Sequence, residues 1–419
     1  LEQLRAVEAG QVGGRFAEAE TLCARALALH RAAGNRRLEA WTLSTLAVAR
    51  RQAGRMAEAL ELLTAALAGR RSEGDREGEA LTLANLGAAL KMSGQIAEGE
   101  RRTREALDLA RELGDRRLEA SLLGNMANLL RETGRTAEAR AHYLLALEGA
   151  RKAGARLLEG QILGNLGDLL GGSSEFDEAD RTLREALAIH RECGNLWSEG
   201  IAIANLAGLS AAAGRAQEAE LRYEAAIRIH RESGNVRFEC RTLYNLGLHL
   251  VATGRNREGE LRLGEALGLA RRVGDPGTAG LALAGLAVLH QEAGGLEEAA
   301  REVAEGLEII RRSGIRRVEA DLLAIRASIR IAAGQIREGL EGYDEAIALD
   351  RALSNPTREG VHLCEQATAF LGLGRVAEAK AAWETGAARL AGLSQVAALR
   401  TAETQMRAAC AKAGVPAFA

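Results

Sequence analysis

Five asparagines stand forty residues apart, Asn85, Asn125, Asn165, Asn205 and Asn245, with Thr45 before them and Gly285 after them in the same phase. Asparagine is a mediocre helix former, so its return at one fixed place in a helical sequence calls for a reason. A carboxamide both donates and accepts, and a ladder of them can pair with the backbone of an extended peptide whatever its sequence. The same groups can instead tie each helix to its neighbour through a backbone carbonyl. Periodicity alone fits both uses.

The other chemically capable residues form no centre. His30, His190 and His230 share one late position of their units, and His142, His249, His290 and His362 are scattered; no pair has metalloprotease spacing around a glutamate. Gly171-Gly172-Ser173-Ser174 lacks the lysine and the preceding strand of a phosphate loop, and reads as a soft spot replacing the end of one helix. Cys23, Cys193, Cys240, Cys364 and Cys410 are odd in number and without a close pair, which argues against a disulfide framework and for a reducing cytoplasm. No catalytic residue, cofactor or metal is expected, and the chain reads as a non-enzyme.

The elements that position the asparagines follow from two glycine ladders. Gly34, Gly74, Gly114, Gly154, Gly194, Gly234, Gly274 and Gly314 recur every forty residues until Ser354 breaks the series. A second ladder, Gly14, Gly54, Gly94, Gly134, Gly214, Gly254, Gly294, Gly334 and Gly374, runs twenty residues out of phase, with Ser174 its one gap. Glycine is favoured just past a helix C-terminus, so each unit is a helical hairpin. Carboxylates such as Glu39, Glu79 and Glu119, or Glu58 and its counterparts, fall in the first turns, where the macrodipole favours negative charge. Leu43 and Leu46 return as Leu83 and Leu86, Leu123 and Met126, and Leu163 and Leu166, while small residues such as Ala47, Gly87, Ala59 and Ala66 mark helix crossings.

Composition agrees with an all-α chain. Apolar residues make up 47% but aromatics only 3%, with three prolines. The 55 basic and 57 acidic residues nearly cancel, so no field draws the chain to nucleic acid or an anionic membrane. No apolar run is long enough to span a bilayer. Because the sequence opens at Leu1 inside a helical pattern, it reads as a fragment with its first helix truncated.

The spacing and types of Leu43, Leu46, Ala47, Gly54, Ala59 and Ala66 resemble the signature of the tetratricopeptide repeat family. The forty-residue unit, with its Gly-Asp/Asn turn and Asn-Leu-Gly/Ala core, is most similar to the Leu-Gly-Asn-repeat adaptors, kinesin light chains and bacterial regulatory arrays. Since the commonest family members repeat every 34 residues or so, the resemblance implies a second helix longer by about one and a half turns. The expected architecture is an α-solenoid superhelix of about ten hairpins over residues 1–392, with a capping helix and tail over 393–419. First helices are expected at 1–12 and 38–52 through 358–372, second helices at 16–32 through 376–391, and the cap near 395–412.

In that family the first helices line the concave surface. The resemblance implies peptide contacts at Asn85, Asn125, Asn128, Asn165, Asp168, Asn205, Arg241, Tyr244 and Asn245, with Gly124, Gly164 and Gly208 removing bulk beside them. The lysine of the family's carboxylate clamp is missing, since position 44 and its counterparts through Ala324 are Ser, Ala, Gly or Tyr. Leu281, Val288, Ile325 and Ile331 suggest an apolar far end, and Arg326 and Gln366 interrupt the leucine pattern. The expected role is a protein- or peptide-binding scaffold, as sensor or adaptor of a larger bacterial signalling protein. Two alternatives stand beside it: the regulatory arm of an enzyme such as a kinase, protease or ATPase, and a self-assembling scaffold.

Overall fold

The computed structural model describes residues 16–52, 55–173, 175–393 and 395–418. They form twenty helices and, among the described residues, no strand. The expected helix at 1–12, Gly14, Gly54 and Ser174 lie outside them. The first helices are α2 (Arg36–Gln52), α4 (Arg76–Met92), α6 (Arg116–Glu132), α8 (Arg156–Gly172), α10 (Leu196–Ala212), α12 (Val236–Ala252), α14 (Pro276–Glu292), α16 (Arg316–Ala332) and α18 (Pro356–Gly372). The second helices are α1 (Phe16–Ala32), α3 (Met56–Ser72), α5 (Ile96–Glu112), α7 (Thr136–Lys152), α9 (Phe176–Glu192), α11 (Ala216–Glu232), α13 (Asn256–Val273), α15 (Leu296–Ser313), α17 (Ile336–Ala352) and α19 (Val376–Gly392). A last helix, α20 (Val396–Ala413), lies on α18 and buries Met406 and Cys410 at the end of the array.

Boundaries follow local chemistry. The first helices begin at Arg36 and its counterparts, two residues earlier than the hydrophobic pattern suggests. The reason is the residue after the turn glycine. Asn35, Asp75, Asp115, Asn195 and Asp275 each accept the backbone N–H three residues on, an N-cap worth about 1 kcal/mol. The carboxylate that follows meets an arginine as well as the helix dipole: Arg31 bonds Glu39, Arg71 bonds Glu79, Arg151 bonds Glu159 and Arg231 bonds Glu239, at 2.6–2.7 Å. These pairs bridge the end of one second helix to the start of the next first helix. At position 279 alanine replaces the carboxylate, and Arg271 keeps only its second partner, Glu305, the counterpart of Glu105 and Glu185 for Arg71 and Arg151. Gly171 and Gly172 complete α8 rather than cutting it short.

Ser354 is the single non-glycine residue with positive φ among the described residues, at 50°, where the other eight units of that ladder place glycine. The left-handed region costs an L-residue roughly 1–2 kcal/mol. Part of that gain is returned as unfolded-state entropy when glycine is introduced. Ser354→Gly is therefore expected to stabilise the chain by about 1 kcal/mol, read as a higher melting midpoint; an unchanged or lower midpoint contradicts the assignment.

Each first helix packs most extensively on its own second helix and next on the second helix before it. First helices of adjacent units also touch, whereas second helices have no comparable mutual contact. The first helices therefore form the inner, concave layer. Close approach within a hairpin relies on paired small residues: a Cβ on Gly99 would lie 2.9 Å from the Gly87 carbonyl oxygen, and one on Gly259 the same distance from that of Gly247.

Curvature brings distant units together. Leu353 seats on the turn at Gly94 and Leu393 on the turn at Gly134, between six and seven units earlier in both cases. Arg317 of α16 pairs with Glu132 of α6, which also holds Lys91 at 3.1 Å. Successive superhelical turns thus touch at the α4–α5 and α6–α7 turns and at the end of α6.

Candidate functional site

The asparagine ladder runs across five neighbouring first helices, with Asn85 on α4, Asn125 on α6, Asn165 on α8, Asn205 on α10 and Asn245 on α12. All five side chains are half-buried on the inner layer. None forms a hydrogen bond with another described residue. Side chains elsewhere on the first helices do satisfy themselves: Thr45 donates to the Trp41 carbonyl at 3.1 Å and Thr82 to that of Gly78 at 2.8 Å. Five donor–acceptor groups therefore stand unengaged along one line. The glycines beside them leave room, since a Cβ on Gly164 would meet nothing within 4 Å and one on Gly124 only Ile162 at 3.8 Å.

Three of these carboxamides, Asn165, Asn205 and Asn245, line a cavity of about 590 Å³, together with Asp168 and Arg241. Asn85, Asn125, Asn128 and Tyr244 do not border it. Asn128 is occupied, because the Tyr143 hydroxyl donates to its Oδ1 at 2.6 Å. Tyr244 leans on the buried cluster around Leu246, and burial pushes its phenol up to about 12, with Asp321 adding to the effect. Asp168 pairs with Arg131. For Arg131, burial opposes the guanidinium charge, and Asp168, Tyr143 and Glu132 together outweigh it and raise its pKa.

Arg241 makes no ion pair or hydrogen bond with a described residue and lies over the Phe238 ring, 4.2 Å from its centroid. Enclosure by protein lowers its guanidinium pKa from the usual value, against the pull of Asp168 and Asp275. Trp197 meets Phe238 edge to face at 6.1 Å and is 36% exposed. This aromatic wall carries no periodic signature: Trp197 stands where other units have Arg37, Glu77, Arg117 or Leu157.

Behind that wall sits His230, fully buried against Gly200, where a Cβ would come within 2.6 Å of the imidazole. Both ring nitrogens lack a hydrogen-bond partner. Burial, aided by the charge of Arg241, lowers its pKa to about 4. A folded pKa below the unfolded value means that this contribution is complete above about pH 6.5 and is lost as pH falls toward 4. The loss reaches up to roughly 3 kcal/mol. His230→Phe is expected to flatten the acid side of the stability profile; equal acid slopes in both chains contradict it.

The far end differs from the apolar expectation. Val288 is exposed and Leu281 half-buried, but Ile325 and Ile331 pack onto the cluster of Val303, Leu323 and Tyr343. Ile331 fills the space that Gly339 leaves open between α16 and α17, so it is internal packing rather than groove lining. The neighbouring interior holds polar pairs: buried His362 bonds buried Asp350 at 2.7 Å, and Arg358 pairs with Asp321. Burial opposes charge on His362, yet bonds to the two aspartates raise its pKa to about 9. Among the described residues no three His, Cys, Asp or Glu side chains converge as a metal site, and no helix is long and apolar enough to cross a membrane.

No curated protein is a significant match to the sequence. Solved structures share its fold. A Rap protein complexed with competence and sporulation factor is 13% identical, with a TM-score of 0.59 over 86% of this chain and 99% of that one. Aspartyl phosphate phosphatase F from Bacillus subtilis is 14% identical, with a TM-score of 0.51 over 67% and 73%. A signal transduction ATPase with numerous domains and a tetratricopeptide repeat sensor, from Pyrococcus horikoshii, is 14% identical, with a TM-score of 0.50 over 84% of this chain and 55% of that one. Residues 11–72, 38–112, 78–152 and 118–192 match the tetratricopeptide repeat family model. The same hairpin then continues unit by unit to α19, so the chain resembles the tetratricopeptide repeat family beyond residues 11–192, the part that the family model matches.

Proposed function

We propose that the concave face of α4–α12 binds an extended peptide or protein segment through the asparagine ladder, and that the chain is the sensor or adaptor region of a larger bacterial signalling protein in the cytoplasm. The observation that carries this reading is the row of five carboxamides with no intramolecular partner. Half-buried carboxamides that the protein leaves free are open to solvent, and a backbone segment laid along the ladder replaces that solvent with donors and acceptors of the right kind. Adding such a segment needs no catalytic residue, and the chain is read as a non-enzyme. The fold's likeness to a Rap protein complexed with a factor supports binding in such an array.

A second reading has its own support. The Pyrococcus protein carries its tetratricopeptide repeats as the sensor of an ATPase, so this array as the regulatory arm of a multidomain enzyme is consistent with the same groove. The test of the shared claim is a pull-down with the immobilised array, wild type against a chain with Asn125, Asn165 and Asn205 changed to Ala. Proteins retained by the first and lost by the second are groove ligands; identical retention by both contradicts the reading. Chelation supplies a further check. Since no liganding cluster exists among the described residues for a metal to stabilise, EDTA is expected to move the melting temperature by less than about 1 °C, and a shift of many degrees contradicts it.

A further inference from the structure

One break in the repeat lies away from the asparagine ladder. Along the first helices two positions one turn apart hold buried apolar pairs, Leu86 and Leu90, Met126 and Leu130, Leu166 and Leu170, and Leu246 and Leu250. In α16 both are arginine, Arg326 and Arg330. Three other units carry a polar residue at the second of these positions, and each is answered from within the chain. Arg50 meets Glu58 at 2.8 Å and Glu20 at 3.1 Å, Ser210 accepts from Arg222 at 2.6 Å, and His290 meets Glu302 at 2.9 Å and Glu260 at 3.4 Å. Glu20 and Glu260 both stand thirty residues before their partners, on the preceding second helix. Thirty residues before Arg330 is Ala300. Arg330, half-buried, makes no ion pair or hydrogen bond with a described residue. Arg326 reaches Glu345 at 2.9 Å, but its buried Nε has no partner. Burial lowers the Arg326 pKa against the pull of Glu345, and the charges of Arg330 and Arg311 press in the same direction.

Arg326 and Arg330 border a crevice of about 740 Å³ between α15 and α16 that reaches the α16–α17 turn at Ala333. Its size is that of a small-molecule site, about 300–1,000 Å³. Buried Leu307 and Ile329, with the small Ala300, Ala304 and Ala333, make the lining largely apolar. Of the other charged groups on it, Arg311 is held by Glu319 and Arg312 by Glu308, while Glu297 stands exposed. A free guanidinium beside an apolar slot suits a ligand with one charge and a hydrocarbon chain, and the planar fork matches a carboxylate. We propose that this crevice binds a small amphipathic anion, an aliphatic chain bearing one carboxylate. The head takes the place at Arg330 that Glu20 and Glu260 fill in their own units, and the tail lies along the alanines. The site is separate from the asparagine ladder and does not depend on it.

The experiment titrates the full chain with decanoate, 1-decanol and acetate by calorimetry, as wild type and as the variants Ala300→Glu and Arg330→Gln. Wild type is expected to bind decanoate at least about tenfold more tightly than 1-decanol, which lacks the charge, or acetate, which lacks the chain. Ala300→Glu installs the acid that Glu20 and Glu260 supply elsewhere. It is expected to weaken decanoate at least about tenfold while melting no lower than wild type, because position 300 is exposed. Arg330→Gln is expected to bring decanoate down to the level of 1-decanol and to leave 1-decanol itself unchanged, a pattern that a general loss of structure does not give. Decanoate binding in wild type no tighter than that of 1-decanol, or undiminished in either variant, overturns the proposal.

Discussion

Excising Asn195–Gly234, forty residues in phase, is expected to leave a helical protein that melts cooperatively, whereas excising Asn195–Gly214 is expected to destroy cooperative folding. The first deletion removes α10 and α11 together and joins Gly194 to Asn235, restoring the Gly-Asn sequence of the native turn. Every remaining first helix still finds a second helix before and after it, because stability in such arrays is a sum of unit and nearest-neighbour terms. The second deletion removes α10 alone and sets α9 directly before α11, two outer-layer helices with no inner helix between them. It withdraws the buried Ile203, Leu206 and Leu209 and bares the faces that packed on them. Three such side chains account for about 5–9 kcal/mol of burial, comparable with the whole stability of a typical domain. Circular dichroism melts of the two variants decide the matter. Equal helicity and equal cooperativity in both would contradict the forty-residue unit.

Much of this unit is legible in the residues themselves. The Gly34–Gly314 ladder marks turns that do adopt positive φ, and Ser354 follows the same backbone despite its side chain. Leu83, Leu123 and Leu163 are buried as their spacing requires. The Arg31–Glu39 series was also available, since both partners recur at forty residues, but only the geometry shows that a second-helix arginine reaches the next first helix.

What the pattern does not carry is anything that belongs to one unit or to distant units. Trp197 and Phe238 occur once each at their positions, so no periodicity singles them out. Asn128 lies in phase with groove positions yet serves Tyr143 of the following helix. Ile331 has the composition of a groove residue, but Gly339 opposite it opens a gap that it fills. Contacts such as Leu353 on Gly94 arise from small rotations accumulated over several units, which a repeat pattern reports only between neighbours.

The ladder carries the functional account, and changing Asn125, Asn165 and Asn205 together to Ala separates its two possible roles. None of the three bonds another described residue, so truncation breaks no intramolecular tie. Alanine is the better helix former and recovers a few tenths of a kcal/mol per site. On the ligand side, each lost carboxamide bond costs on the order of 1 kcal/mol, and a stranded ligand group about 1–3 kcal/mol. Measured by titration calorimetry on a partner retained by the wild-type array, the triple variant is expected to bind at least about tenfold more weakly while melting at or slightly above the wild-type temperature. A variant that melts markedly lower, and whose folded fraction binds that partner at wild-type affinity, would contradict the account.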